Sequence, residues 1–423
     1  MMGQALAKRD IHRGIILYDE QKFSRALEIW LSVLSKLRKP QDRFSVHGYV
    51  CMALLETGHN KVALEHALRQ VDIAEWQNKD VLKSEAFYNT ARAFQTLGEI
   101  SKCLTFCERS LNYETDIPAL PGYVHLCMGC AFLALGLISK AYMSLQFALD
   151  TSEEHEDKVL ELMTRSSLGN VFTAVRDYET AREHHWKAIK VARVFDAVDS
   201  SFKFMRRVLA NAAVVMLKVG SYSDALDIAE EAIKDALTFS DRPVQSRCLF
   251  IFAEVHRERY DLKTASPRYE AAYDLANEIG DQKLQMEIIM GMARAAEAEH
   301  DLLQAYKLAE KSYNMSMQMS CKLDAIRCLE HQSDLAIKLD RPEVSESRDF
   351  LRGQLLQELE LYCGICDEPL GDRPGRLEVL DCCHFVHQKC ARYLLRSSQT
   401  HTVHRCPCPA CRVKMPVTST TTF

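Results

Sequence analysis

Small residues recur along most of the chain at fixed offsets within amphipathic stretches of helical period. A small residue sits in a first helix, a Gly or polar turn follows, then an Ala, then another small residue one face further on. The clearest copy is GYVHLCMGCAFLALGLISKAYMSLQFALD, where Gly129, Gly136, Ala141 and Ala148 hold these places. Gly169, Ala181 and Ala188 mark the next copy, and Ala213, Gly220, Ala225 and Ala232 the one after. Further copies show Gly14 with Ala26, Gly58 with Ala63, Gly98 with Cys103, Ala253 with Ala265 and Ala272, and Ala293 with Ala305. The pattern has a physical cause. Two antiparallel helices approach closely only where their side chains are small, so the small residue of the first helix faces the early Ala of the second. The later Ala lets the second helix pack on the next hairpin. About eight such hairpins are predicted over residues 7–325, stacked into a superhelix with a concave groove.

This pattern resembles the tetratricopeptide repeat, whose usual period is about 34 residues. Here the successive anchors Ala26, Ala63, Cys103, Ala141, Ala181, Ala225, Ala265 and Ala305 lie 37 to 44 residues apart. The helices or their linkers must therefore be longer than in the standard repeat. Pro342 then interrupts the helical pattern, and EVSESRDFLRGQLLQELELY resumes it with Val344, Leu351, Leu355 and Leu359 on one stripe. Residues 326–362 read as an amphipathic connector or short coiled-coil helix. Two roles are open to it, capping the last repeat or docking a partner helix.

Composition narrows the class. Of 423 residues, 47% are apolar and 26% charged, an ordinary globular mixture. The net charge of −5 offers no field for nucleic acid, which is not expected as a partner. The first ten residues are too polar for a signal peptide. The most apolar stretch, Leu126 to Ser139, is shorter than the roughly 20 residues that span a bilayer. The expectation is a chain that is soluble or peripheral to a membrane. The 16 cysteines are uneven, for eight fall between Cys363 and Cys411, where an even spread would leave about two. The other eight lie in apolar helical patterns, where Cys behaves as a small buried hydrophobe. So many free thiols point to a reducing compartment.

The C-terminal cluster opens with C-x-x-C at Cys363 and Cys366. It continues with C-x-H-x-x-H-x-x-C at Cys382, His384, His387 and Cys390, and ends with C-P-A-C at Cys408 and Cys411. Zinc takes four thiolate or imidazole ligands tetrahedrally, and C-x-x-C supplies the right bite. Eight ligands suffice for two structural zinc ions. Cys383 is an alternative to Cys382, and Cys406 to Cys408. His401 and His404 are read as solvated loop residues. A segment this short lacks a sufficient core, so metal should supply much of its folding energy.

The order of ligands resembles the RING finger with two histidines. By the interleaved pattern of that family, Cys363, Cys366, His387 and Cys390 hold one zinc, and Cys382, His384, Cys408 and Cys411 the other. The fold class expected for the whole chain is thus an all-α repeat superhelix, a tetratricopeptide-like solenoid, with a small C-terminal zinc-binding RING domain at 363–412 and a tail at 413–423. RING ubiquitin ligases contain no catalytic nucleophile; they dock a charged ubiquitin-conjugating enzyme and hold its ubiquitin in a reactive pose. The family docks that enzyme with an apolar residue between the first two ligands, an apolar helix after the sixth, a Pro between the last two and a basic residue after them. Ile365, Leu394 or Leu395, Pro409 and Arg412 occupy these places. A ligase and a purely structural, protein-binding RING remain the two readings of this segment.

At the other end, Met2-Gly3-Gln4-Ala5-Leu6-Ala7-Lys8 resembles an N-myristoylation site, with Gly3 as the acceptor if translation starts at Met2; residues 1–6 form the acylation segment. One acyl chain holds a protein to a membrane only marginally, so a second contact is required. Taken in order, the Met-Gly-Gln start, the long helical repeats and the two-histidine RING resemble the rapsyn family. The stretch from Asp241 to Gly280, DRPVQSRCLFIFAEVHRERYDLKTASPRYEAAYDLANEIG, and the text ELYCGIC carry the same resemblance. Met1 ahead of the Gly, the doubled Cys382-Cys383, the long RING insertion and the tail depart from it. The resemblance implies a scaffold on the cytoplasmic face of the postsynaptic plasma membrane. Such a scaffold binds the cytoplasmic loops of nicotinic acetylcholine receptors, clusters them, self-associates through its repeats and joins cytoskeletal or dystroglycan-type linkers. A RING ubiquitin ligase that recruits substrates with its repeats is the alternative.

Overall fold

A left-handed backbone residue recurs every 20 positions through the second half of the chain: Ser240, Tyr260, Gly280, His300, Ser320, Asp340 and Glu360, with φ between 54° and 73°. Each ends one helix, and all but Glu360, which follows the last helix of the array, turn the chain into the next. The following residue often serves both neighbours. The N–H groups of Asp241, Asp261, Asp281 and Asp301 bond back to the carbonyls of Ala236, His256, Ala276 and Ala296 at 2.8–3.0 Å. Their carboxylates accept the N–H groups of Val244, Thr264, Leu284 and Gln304, capping the helix ahead.

The computed structural model describes residues 2–196, 203–371 and 375–392. The helices are α1 (Met2–Asp19), α2 (Phe23–Leu34), α3 (Pro40–Glu56), α4 (Asn60–Gln77), α5 (Asp80–Thr96), α6 (Ile100–Leu111), α7 (Leu120–Ala134), α8 (Ile138–Glu154) and α9 (Lys158–Ala174). They continue with α10 (Tyr178–Asp196), α11 (Lys203–Val219), α12 (Tyr222–Thr238), α13 (Arg242–Glu258), α14 (Leu262–Ile279), α15 (Gln282–Ala298), α16 (Leu302–Gln318), α17 (Lys322–Lys338) and α18 (Pro342–Glu358). Consecutive pairs form antiparallel hairpins. The long period comes mainly from the helices: α13, α15, α16 and α17 each have 17 residues, joined by turns of two or three.

All eight anchors, Ala26 through Ala305 and Cys103 among them, are fully buried. The array continues one hairpin past them. Ser345 stands 40 residues after Ala305, in the anchor place of α18, buried and with its Oγ 2.8 Å from Ser333 Oγ. The boundary expected between 325 and 326 falls inside α17, and residues 326–362 hold most of α17 and all of α18, which pair as a ninth hairpin. Pro342 occupies the first turn of α18, where its missing N–H has no intrahelical partner to lose.

The predicted close approach of paired helices is plain at Gly129 on α7. A Cβ there would lie 2.6 Å from Leu145 Cγ and 3.3 Å from the Ala141 carbonyl on α8. Gly129→Ala should therefore destabilise the protein by about 1–3 kcal/mol through overpacking. An unchanged melting temperature would mean that α7 and α8 can part without loss.

The superhelix closes on itself. Asn60 Nδ2 donates to the Ile279 carbonyl (3.4 Å), and Arg207 on α11 pairs with Glu56 on α3. Further along, Arg176 pairs with Glu330 (2.7 Å), Arg327 donates to the Ala174 carbonyl (3.2 Å), and Leu359 packs beside Gly136. Among the described residues no helix is long and apolar enough to cross a membrane.

Candidate metal centre

After α18 the chain makes a compact Cys/His module. Leu370 N–H bonds to the Leu361 carbonyl (2.8 Å), and Tyr362 bridges Pro369. These contacts set the loop that carries Cys363 and Cys366. Asp367, with φ +56°, returns its N–H to the Cys363 carbonyl (2.9 Å). Two short strands follow, β1 (Leu377–Val379) and β2 (Phe385–His387), antiparallel with Leu377 opposite His387. Strand β2 delivers His387, and the helical turn after it delivers Cys390.

The ligand atoms of Cys363, Cys366, His387 and Cys390 all lie within 4.8 Å of one another, with Cys366 Sγ 3.3 Å from His387 Nδ1. Tetrahedral bonds of about 2.3 Å to sulfur place thiolates on a shared zinc about 3.8 Å apart. The four groups are thus close to the spacing such an ion requires. Their titration agrees. Burial works to raise the Cys363 thiol, but hydrogen bonds from the backbone of His387, Cys366 and Ile365 outweigh it and hold the thiol below its usual range. Burial, and the neighbouring Cys366 and Cys363, push the Cys390 thiol up to about 12. A site that favours the first thiolate and resists the next is one whose accumulating charge a cation would relieve.

Of the second predicted set, Cys382 and His384 lie together, with His384 Nδ1 3.4 Å from Cys382 Sγ. Cys383, at φ +61°, lies toward Tyr142 of the helical array. Cys408 and Cys411 lie outside the described residues, as do Cys406, His401, His404, Leu394, Leu395, Pro409 and Arg412. Ile365 is half-buried and packs against the core shared by the module and the helices. Gly3 falls in the first turn of α1. A separate thiol group, Cys103, Cys107 and Cys127, is buried between α6 and α7 with its sulfurs within 4.8 Å, a spacing that can also hold a metal. The cysteine pattern gave no hint of that convergence, since the three sit among ordinary apolar positions.

Sequence reasoning also missed how the module is seated. It docks on α8, α9 and the start of α10 and shares one apolar core with them. Phe385 lies edge-on to Tyr142 (5.6 Å between ring centres) and beside Phe172 (5.8 Å). Leu377 N–H donates to the carboxylate of buried Asp177 (3.0 Å), and Arg376 reaches Glu179 (2.5 Å) and Glu183 (2.9 Å). Val386, Leu370 and Leu359 belong to the same buried apolar cluster as Val175 and Ile138. Phe385→Leu stays apolar but loses the aromatic contacts and some side-chain volume, at a cost of about 1 kcal/mol or more. Amide exchange in residues 377–387 should then quicken roughly fivefold. Unchanged exchange would show that this ring does not hold the module in place.

Comparison with known proteins places the chain. A family model described as the rapsyn N-terminal myristoylation and linker region matches residues 2–80. The 43 kDa receptor-associated protein of the synapse from Gallus gallus is 33% identical over 410 residues, covering 96% of this chain and 97% of the relative. The protein of the same name from Tetronarce californica is 30% identical over 391 residues, covering 92% and 95%. Among solved structures, a Rap protein complexed with competence and sporulation factor superposes with a TM-score of 0.63 at 11% identity, over 84% of this chain and 99% of that one. The Rap conjugation gene regulator of plasmid pLS20 gives 0.55 at 13%, over 84% and 97%. At such identities these two speak for the helical-repeat fold alone. With relatedness at this level running through both the helical array and the Cys/His module, the chain belongs to the rapsyn family.

Proposed function

We propose that the protein is a peripheral-membrane scaffold that binds and clusters nicotinic acetylcholine receptors at the postsynaptic membrane and links them to the cytoskeleton. The observation that carries this reading is the near full-length relation to the receptor-associated proteins of the synapse. The superhelix provides a large, rigid surface for receptor loops and for further copies of the chain. Myristate on Gly3 supplies one membrane contact, and the receptor supplies the second that stable attachment requires. Residues 363–412 form a RING with two structural zincs: Cys363, Cys366, His387 and Cys390 hold the first, and Cys382, His384, Cys408 and Cys411 the second. A zinc at the first site ties the loop after α18 to strand β2 and so fixes the module that joins the end of the array to its middle.

Co-expression with a nicotinic receptor in a non-muscle cell tests the proposal. Receptors should gather into clusters that disperse with Gly3→Ala and with Cys363→Ala. Receptors left diffuse by the unaltered protein would overturn the scaffold reading. A ubiquitin-ligase role draws support from Ile365, which stays partly exposed beside the first metal cluster. In-vitro ubiquitination left unchanged by Ile365→Ala and Arg412→Ala would rule that role out.

A further inference from the structure

The helical array departs from its own pattern in the third hairpin. Seven of the eight anchors are Ala, but on α6 the place is held by Cys103. Cys107 stands one turn further along the same face of α6, since residues four apart on a helix are neighbours. Cys127 meets them from α7, the first helix of the next hairpin. The three sulfurs lie within 4.8 Å of one another, with Cys103 Sγ 3.5 Å from Cys127 Sγ. Cys103 and Cys107 are wholly buried and Cys127 is 4% exposed. Phe94, Leu120, Val124 and Ala131 share this apolar core. Among the described residues no carboxylate or imidazole joins the cluster, and the Cys127 thiol donates to Gln95 Oε1 (3.5 Å). Packing alone accounts for one Cys in an Ala place. It does not account for three thiols from two hairpins converging on one point.

We propose that Cys103, Cys107 and Cys127 bind one thiophilic monovalent ion, Cu(I), which staples the third hairpin to the fourth. Three sulfurs around one ion in a trigonal plane, with bonds of about 2.3 Å, stand about 4.0 Å apart. The triangle of thiols is already close to that size. The donor set selects the ion. A structural zinc takes four ligands, and this site offers three sulfurs in a core with no imidazole, carboxylate or water-filled space to complete the set. Soft thiolates favour Cu(I), and the absence of hard oxygen donors disfavours calcium and magnesium. Each thiol that bonds the ion releases its proton to solvent, and copper stays Cu(I), so no electron is transferred. The Arg92 guanidinium lies near enough for its charge to act on Cys127 and offsets part of the negative charge the thiolates bring. A way in exists at the end of α6. That helix has 12 residues against 17 in α5, and residues 112–119 between it and α7 are not helical. Parting of α6 from α7 at this joint exposes the sulfurs to an incoming ion.

The C-terminal module also carries thiols, so the test must tell the two places apart. Reduced, zinc-treated full-length protein would be titrated with Cu(I) without oxygen, against the chromogenic Cu(I) chelator bicinchoninate, while free zinc is followed. The expected result is one equivalent of Cu(I) taken from the chelator before any zinc is released. X-ray absorption on that sample should show sulfur and no imidazole nitrogen around copper. Cys103→Ala, which restores the residue used by the other seven hairpins, should weaken this equivalent by roughly a hundredfold or more and leave the far-UV circular dichroism unchanged. Cys107→Ser should weaken it likewise. Copper that binds only as zinc leaves, or that carries an imidazole ligand, would overturn the proposal without any variant, for it would lie in the C-terminal module. A first equivalent that Cys103→Ala retains would overturn it too. So would a zinc ion that Cu(I) fails to displace and that Cys103→Ala loses, in favour of a zinc site between the hairpins.

Discussion

Cys363→Ala, or chelation of the full-length protein, will unfold residues 361–392 and leave the helical array standing. The apolar groups this module buries, Leu361, Leu370, Leu377, Phe385, Val386 and Ala391, are few, and they lie in a core it shares with the helices. Two strands of three residues cannot hold it on their own. A structural zinc held by these four groups would contribute on the order of 10–16 kcal/mol of folding free energy. Cys363 is the most buried of the four candidate ligands, and its removal would open the site from the core side. Exchange at Leu370 and in 377–387 should accelerate roughly a hundredfold or more when the metal leaves. Far-UV circular dichroism should barely change, because α1 to α18 carry the helical signal. Protection that persists in 377–387 after the metal has been shown to be gone would mean that docking on Tyr142 and Phe172, rather than the ion, orders the module.

The features legible in the sequence are those with a local cause. C-x-x-C is legible because two ligands on one turn must reach one ion, so their spacing is fixed whatever surrounds them. The hairpin anchors are legible because Ala at a helix crossing leaves a fixed period. The ninth hairpin escaped notice because Ser345 replaces Ala there and satisfies its hydroxyl on Ser333. Its turn, and those at Arg176, Tyr260 and His300, adopt the left-handed conformation without the Gly that marks Gly58, Gly98, Gly136 and Gly220. At those turns the backbone is held by the helices on either side, and the residue type carries little signal. The docking of the module was not legible at all. Leu377 and Asp177 stand 200 positions apart, and an Asp at the start of a helix looks like any N-cap. Such contacts depend on how far the superhelix turns per repeat, which no single repeat encodes.

Glu254→Ala should be the most damaging single substitution within the array, lowering local stability by about 3–5 kcal/mol. The carboxylate is buried at the inner wall, where it accepts from Arg257 and Arg294 and from the Tyr269 hydroxyl (2.6 Å). Gly291 makes room for it, since a Cβ there would lie 2.7 Å from its Oε1. Removing the charge takes away the ion pair of Arg294 and leaves Arg257 with its pair to Glu258, both beside Lys218. The same cluster sets an acid limit. Burial works to raise the Glu254 pKa, but Arg294, Arg257 and Lys218 outweigh it and hold the carboxyl well below its usual range. A depressed folded pKa gives stability that is present above the unfolded value, about 4.3, and is lost as pH falls toward the folded one. Native-state exchange of α13 to α16 should therefore quicken as pH is lowered below about 4.3, after correction for the intrinsic rate. Glu254→Gln, already destabilised, should show a flatter profile over the same range. If the two profiles run parallel, the acid sensitivity of this region belongs to other carboxylates, and Glu254 is held mainly by its bond to Tyr269.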